Sequence, residues 1–289
     1  MKTVKTIKEV RQCVAEARAA GKTVGFVPTM GYLHEGHISL VTVSRNLADY
    51  NVMSIFVNRM QFNDANDFER YPLAPERDAE MAEAAGVDLL FMPNESEIYT
   101  DRRAYIDIEK ITDNLCGLSR PGHFRGALTV VGKLFNIVSP DIAVFGQKDI
   151  QQAVAIDKMV EDLNFPIKII IAPIVRDENG LALSSRNKHL TADEKTRALS
   201  LSKSLKKAQE LLQAGERSWK VIQSEMDKVI LSVNPTMVDY ISLVSYKELQ
   251  LLTEVTDKCV IAVAVFFGST RLIDNMIVEI KGGDATCIM

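Results

Sequence analysis

Cysteine is scarce and scattered in this sequence. Cys13, Cys116, Cys259 and Cys287 make up the whole complement of 4, with no C-x-x-C pair among them. That pattern fits reduced thiols in a cytoplasmic protein. A basic excess is also missing: 34 Lys and Arg stand against 38 Asp and Glu, for a net charge of -4 and a pI near 5.7. Nucleic-acid binders carry dense Lys/Arg patches, so no nucleic-acid partner is expected, while a local site for one phosphorylated ligand stays open. The first residues, "MKTVKTIKEVRQCVAEARAAGKTVGFV", hold no uninterrupted apolar run of signal-peptide or membrane-spanning length. Neither export nor a membrane partner is expected. Repeats and low-complexity tracts are absent, and so are the G-x-x-x-x-G-K-[ST] and G-x-G-x-x-G phosphate signatures.

What is there is a globular composition: 289 residues, 47% apolar and 25% charged, enough for one large or two modest cores. Thr6 to Ala20 has the spacing of an amphipathic helix, with Ile7, Val10, Val14 and Ala17 on one face. Short apolar runs ("TVGFVPT", "NVMSIFVN", "VDLLFMP", "DIAVFG", "IKIIIAPIV") then alternate with helical ones ("ISLVTVSRNLA", "PERDAEMAEAAG", "ALTVVGKLFNIV", "DIQQAVAIDKMVEDL"). This alternation predicts a doubly wound parallel α/β sheet covered on both faces. The character changes after about Val175. A loop and a long helix ("SSRNKHLTADEKTRALSLSKSLKKAQELLQAG") precede a second helix ("WKVIQSEMDKVILSV") and three strand-like runs, "MVDYISLV", "CVIAVAVFF" and "MIVEI". Residues 1–174 are therefore expected to form the α/β domain and 175–289 a smaller α+β domain.

Four stretches carry polar residues suited to chemistry. The first is "PTMGYLHEGHISLV", where His34 and His37 are three apart, after a strand and before a helix. A zincin motif spaces its histidines by four, and only 4 histidines occur in the chain, so zinc is disfavoured. Helix N-termini at the carboxyl ends of parallel strands suit phosphate. The pair is either an anion clamp on neighbouring helical turns or two ordinary polar residues at a helix start. The second stretch, "FGQKDIQQ", also joins a strand to a helix; Lys148 offers a point charge and Asp149 a helix cap. Gln151 and Gln152 point about 100° apart on a helix, so one of them faces any ligand. In the third, "LALSSRN", two hydroxyls and a guanidinium suit the oxygens of a triphosphate. In the fourth, "FVNRMQF", Gln61 offers a donor and an acceptor to a hydroxyl or carboxylate. Each stretch is modest alone, yet three fall at strand ends, where one sheet edge would gather them around a nucleotide triphosphate.

Read together, "PTMGYLHEGHISLV", "FVNRMQF", "LCGLSRPGHFRGALTVVGKLFNIVSPDIAVFGQKDIQQ", "GLALSSRN" and "RLIDN" resemble, in order, the motifs of the pantothenate synthetase (pantoate–β-alanine ligase) family. That family belongs to the HIGH-motif nucleotidyltransferase-like superfamily. The resemblance spans Pro28 to Asn275. It implies a Rossmann-like ATP- and pantoate-binding domain with a smaller C-terminal domain closing over the site, in a homodimer. The implied reaction joins pantoate to β-alanine with ATP and Mg²⁺, through a pantoyl adenylate, to pantothenate, AMP and pyrophosphate. Carried over by motif, ATP would be bound by Met30 through His37 (Met30, Gly31, His34 and His37 above all), Gly146, Gln147, Lys148, Asp149, Val175, Leu183, Ser184, Ser185 and Arg186. Gln61, Gln152 and Met30 would hold pantoate, and Gln61 would also lie near β-alanine. His37, His34, Lys148 and Arg186 would act on the reacting phosphate, with His37 as proton donor, which makes the two histidines a phosphate clamp.

The chain departs from the family pattern in places. Arg59 stands where proline is usual, Leu73 where an arginine is usual, Thr100 ends "EIYT" in place of "xMYP", Leu183 replaces a common methionine and His189 a usual tyrosine. Arg59 either takes over the charge lost at Leu73 or reflects surface drift. Two other functions are weighed against the ligase. A nucleotidylyltransferase would transfer a nucleotide to a phosphorylated acceptor and need more Arg or Lys than Gln61 and Gln152 provide. A non-catalytic nucleotide-binding regulator would have lost Lys148 and Arg186, which are both present.

Overall fold

The short apolar runs line up side by side. A computed structural model describes residues 1–63 and 65–289, with backbone alone at 65 and 66. Strands β1 (Lys2–Val4), β2 (Val24–Thr29), β3 (Tyr50–Ile55), β4 (Leu89–Phe91), β5 (Ile142–Gly146) and β6 (Lys168–Ala172) form one parallel sheet, ordered β1-β4-β3-β2-β5-β6. Parallel neighbours need long crossovers, supplied by helices such as Ile7–Ala19, Glu35–Arg45, Pro75–Ala84 and His123–Val138. The central strand β2 is apolar on both faces because both are covered: Val24, Phe26 and Val27 are buried. One face packs Val27, Met53, Leu90 and Val144 against Leu40, Val41 and Ala82 of two helices. On the other, Phe26 meets Phe135 edge-on at 6.4 Å.

From β2 the chain steps outward to β3 and β4, and β5 later joins the opposite edge of β2. The strand order therefore reverses between β2 and β5, where an open α/β sheet leaves a crevice at its carboxyl edge. Pairing between these two strands involves Gly25 with Ile142 and Phe26 with Ala143. Pro28, which has no N–H to give, comes after that ladder.

The remaining strands, β7 (Met237–Ser245), β8 (Lys258–Phe267), β9 (Thr270–Lys281) and β10 (Asp284–Ile288), form an antiparallel sheet ordered β10-β9-β8-β7. Alternate β8 residues Cys259, Ile261, Val263, Val265 and Phe267 pack with Leu201, Leu205, Ala208 and Leu212 of helix Ser200–Gln213 and Ile222, Met226 and Ile230 of helix Trp219–Leu231. Period two meets periods three and four on one apolar layer. The long helix expected within "SSRNKHLTADEKTRALSLSKSLKKAQELLQAG" is broken at Leu199 into Ala192–Ala198 and Ser200–Gln213. Two strands, β1 and β10, have no counterpart in the sequence reading, and β9 is longer than "MIVEI" and takes in "RLIDN".

The chain falls into two units: Met1–Ile108, Arg120–Gly146 and Ala155–Ala172 in the first, and Glu109–Ser119, Gln147–Val154 and Pro173–Met289 in the second. The parallel sheet lies in the first and the antiparallel sheet in the second. All four cysteines are free thiols. Among the described residues, no helix is long and apolar enough to cross a membrane, and no group of three or more His, Cys, Asp or Glu is placed to hold a metal ion.

Candidate active site

In the first unit, β2 ends at Thr29 and the chain turns through Met30–Leu33 into helix Glu35–Arg45. The turn needs left-handed backbone at Gly31 (φ 82°) and Tyr32 (φ 51°). A Cβ at residue 31 would meet Ile55 Cγ2 at 2.9 Å and Asp78 Oδ2 at 3.0 Å, so glycine is required twice over. Asp78, 1% exposed, ties the turn down: its Oδ2 accepts the Tyr32 N–H and its Oδ1 the Leu33 N–H, each at 2.7 Å.

The two histidines then cap the helix for each other. His34 is the N-cap, and its Nδ1 accepts the Gly36 N–H at 3.2 Å. His37 Nδ1 accepts the His34 N–H at 3.3 Å, and the rings lie 4.1 Å apart between centroids. This is a capping box built from imidazoles. Because each Nδ1 is an acceptor, the neutral ring must carry its proton on Nε2. Two Nε2–H donors are thereby set on one helix N-terminus, whose backbone dipole favours an anion. Gly146, at the end of β5, lies beside this helix; a Cβ there would sit 3.9 Å from Leu40 Cδ2.

Gln61 closes a single 3₁₀ turn, Arg59–Gln61, beyond β3. It is 8% exposed, with Nε2 2.9 Å from Met30 Sδ and Oε1 accepting Asn58 Nδ2 at 3.2 Å. The two residues assigned to pantoate in this unit are thus in contact. Asn58 in turn donates to the Gly126 carbonyl at 3.0 Å and accepts the Tyr99 hydroxyl at 3.1 Å. His123 Nδ1 donates to the Gln61 carbonyl at 2.7 Å, beside Arg120 Nη2 at 3.3 Å. Gly126 lets helix His123–Val138 approach, since a Cβ would lie 2.4 Å from the Met60 carbonyl oxygen. Asn58, Tyr99, Asp78 and His123 went unassigned in the sequence; the last stands inside the quoted "SRPGHFRG", which gave it no task. Burial pushes the Tyr99 hydroxyl up to about 12, so it serves Asn58 as a neutral donor. Arg59 is exposed, with its guanidinium 5.6 Å from the centre of the Phe68 ring, and Leu73 is 73% exposed.

In the second unit, Gln147–Asp149 form a 3₁₀ turn leading into helix Ile150–Asp162. Lys148 Nζ stands 3.8 Å from Asp149 Oδ2. Gln147 is buried and commits its side-chain amide to the Ile288 carbonyl (2.9 Å) and Asn275 Oδ1 (3.3 Å). The two glutamines that follow part company as their angular separation requires. Gln151 is buried and donates to the Ile111 and Asn114 carbonyls, whereas Gln152 is half-buried. Val175 and Leu183 close a small hairpin, with the Leu183 N–H on the Val175 carbonyl at 2.9 Å and an antiparallel bridge between Arg176 and Ala182. Ser184 follows as N-cap of the Ser185–His189 turn, its hydroxyl accepting the Arg186 N–H at 3.2 Å, and Ser185 and Arg186 are half-buried. His189 is exposed on the same turn.

A Rossmann-like parallel sheet with an H-x-G-H helix start at its switch point, joined to an α+β unit, defines an enzyme architecture of the nucleotide-binding α/β class. The family profile described as pantoate-beta-alanine ligase matches residues 2–277. Pantothenate synthetase from Acetivibrio thermocellus is 50% identical over 281 residues, covering 97% of this chain and 100% of the relative. The one from Thermoanaerobacter sp. (strain X514) is 52% identical over 272 residues, covering 94% and 96%. The crystal structure of pantothenate synthetase from Thermus thermophilus superposes with a TM-score of 0.90 at 39% identity, covering 95% of this chain and 98% of that one. That of the Francisella tularensis pantoate-beta-alanine ligase, complexed with beta-gamma ATP and beta-alanine, gives 0.79 at 35% identity, covering 95% and 97%. The chain belongs to the pantoate–β-alanine ligase family and is an enzyme, an ATP-dependent ligase.

Proposed function

We propose that the enzyme joins pantoate to β-alanine through a pantoyl adenylate, releasing pyrophosphate and then AMP. The observation that carries the reading is the imidazole capping box, which sets two Nε2–H donors at the sheet's switch point. The pantoate carboxylate attacks the α-phosphorus of ATP and the bond to the pyrophosphate oxygen breaks. Negative charge grows on the phosphate oxygens, where fixed donors act most strongly. His34, His37, Lys148, Ser184, Ser185 and Arg186 supply those donors, with His37 donating a hydrogen bond from its Nε2–H. The main chain of Met30, Gly31, Gly146, Gln147, Asp149, Val175 and Leu183 lines the nucleotide.

Gln61, Met30 and Gln152 hold pantoate, and Gln61 also borders the β-alanine site. The amine of β-alanine then attacks the acyl carbon of the adenylate, the bond to the phosphate oxygen breaks, and AMP leaves as the amine loses a proton. The mixed anhydride is already activated, so positioning and exclusion of water carry this step. Mg²⁺ would accompany the triphosphate as part of the substrate and would neutralise charge on its phosphate oxygens. Such an ion favours carboxylate and phosphate oxygens, and Asp149, whose carboxylate stands beside Lys148, would be a residue of the right kind to hold it. Residues 1–174 would bind ATP and pantoate and residues 175–289 would close over them. A homodimer in the cytoplasm completes the reading, and four free thiols fit a reducing compartment.

The test measures AMP and pyrophosphate from purified protein given ATP, Mg²⁺ and pantoate, with and without β-alanine. Sustained AMP release that needs both substrates, with pantothenate formed, is the expected result. Pyrophosphate release indifferent to β-alanine would overturn the amine step.

A further inference from the structure

The "RLIDN" stretch on β9 has no task in the reaction above, yet it ends in two buried polar residues, Asp274 at 3% and Asn275 at 2% exposure. Their β8 partners are the apolar Val263 and Ala262. Asp274 takes both guanidinium nitrogens of Arg176, Nη1 at 2.6 Å and Nη2 at 3.0 Å, and also the Asn275 N–H at 2.8 Å. Asn275 Nδ2 donates to the carbonyls of two successive residues, Gln147 at 2.9 Å and Lys148 at 3.0 Å. Its Oδ1 accepts Gln147 Nε2 at 3.3 Å. Buried ionic and amide groups rarely add stability over well-packed apolar ones, so a network this complete in an apolar sheet invites a role in geometry.

We infer that Asn275 is a positioning residue for Lys148, held in place by the Asp274–Arg176 pair. A 3₁₀ turn is weakly bonded within itself, so its main chain needs outside anchors. Asn275 pins the Gln147–Asp149 turn at two consecutive carbonyls and so fixes the direction in which the Lys148 side chain leaves the backbone. Lysine's flexible stem makes that direction count, because the ammonium acts as a point charge whose effect depends on where it is delivered. Arg176 directly follows Val175 in the hairpin closed by Leu183, so the same carboxylate also steadies that hairpin.

The inference rests on the reading that Lys148 contacts ATP phosphates, and its test separates the two. Steady-state kinetics with ATP and with pantoate varied in turn are measured for Asn275→Ala, Lys148→Ala and the double variant. Losing two anchoring hydrogen bonds should raise the ATP KM of Asn275→Ala about tenfold and leave the pantoate KM within about twofold. In the Lys148→Ala background the same change should alter the ATP KM by less than about twofold, since the residue being positioned is gone. An unchanged ATP KM in Asn275→Ala, or an equal rise in both backgrounds, overturns the inference. A purely structural role would lower the melting temperature and leave the KM values of the folded enzyme alone. If Lys148→Ala by itself keeps its ATP KM, the phosphate reading of Lys148 fails and the inference falls with it. Should Asn275→Ala not fold, Asn275→Ser, whose hydroxyl is too short to span both carbonyls, carries the same comparison.

Discussion

Asp78 carries the backbone of Leu33: one carboxylate oxygen accepts the Leu33 N–H at 2.7 Å and the other the Tyr32 N–H at the same distance. These contacts hold the turn immediately before His34, in which Gly31 and Tyr32 both adopt left-handed backbone. A buried carboxylate far along the chain thereby presets the start of the helix that carries both histidines.

Asp78→Asn keeps the shape but sets an amide N–H₂ against one of the two backbone donors. The cost should be about 2 kcal/mol in urea unfolding, together with a raised ATP KM as the turn relaxes. Unchanged unfolding and unchanged ATP KM would show that the turn holds itself.

His37→Ala removes an Nε2–H donor and one half of the capping box. Turnover should fall about 100-fold, as for loss of one donor to a developing anion, while stability drops by only about 1 kcal/mol, the worth of a cap. Nitrogen NMR of the free enzyme should find both rings, when neutral, with the proton on Nε2. A proton on Nδ1 of either ring would contradict the box.

Gln61→Ala should raise the pantoate KM about tenfold and change the ATP KM less, because the Gln61 side chain is bonded to Met30 and Asn58. Equal rises in both constants would mean that the 3₁₀ turn had collapsed rather than lost one side chain.

Burial within the antiparallel sheet lifts the Cys259 thiol from 9.0 to about 11. The folded state then keeps the thiol proton through a range in which the unfolded chain releases it. That contribution to stability is present in full below about pH 9 and is lost as pH rises towards 11. Between pH 8 and pH 10 the parent should lose about 1 kcal/mol more than Cys259→Ala, measured by urea unfolding. Parallel slopes for the two proteins would rule the effect out.

Much of the architecture is legible in the order of residues. Of the four residues expected on one face of the Ile7–Ala19 helix, Val10, Val14 and Ala17 are buried and Ile7 is half-buried, and Thr6 caps the helix through Glu9 in a box readable from four letters. The five apolar runs of the first half became five of its six parallel strands. The sixth, β1, is three residues with two exposed, too short to show a period. Gly282-Gly283 signals the hairpin into β10, but "DATCI" is too short and too weakly hydrophobic to read as a strand by itself.

By itself the sequence determined which of the strongly apolar or periodic segments are strand and which are helix, and it placed the H-x-G-H and Q-K-D stretches at strand ends. Those features depend on neighbours within one turn or one pleat, so local spacing records them. Only the tertiary structure decided that Asp78 anchors a turn 46 residues before it, that His123 holds the carbonyl of Gln61 across 62 residues, and that Asn275 grips the Lys148 carbonyl across 127. Such bonds leave no period in the chain, because each is set by which strands and helices pack together and not by what lies beside the residue in sequence.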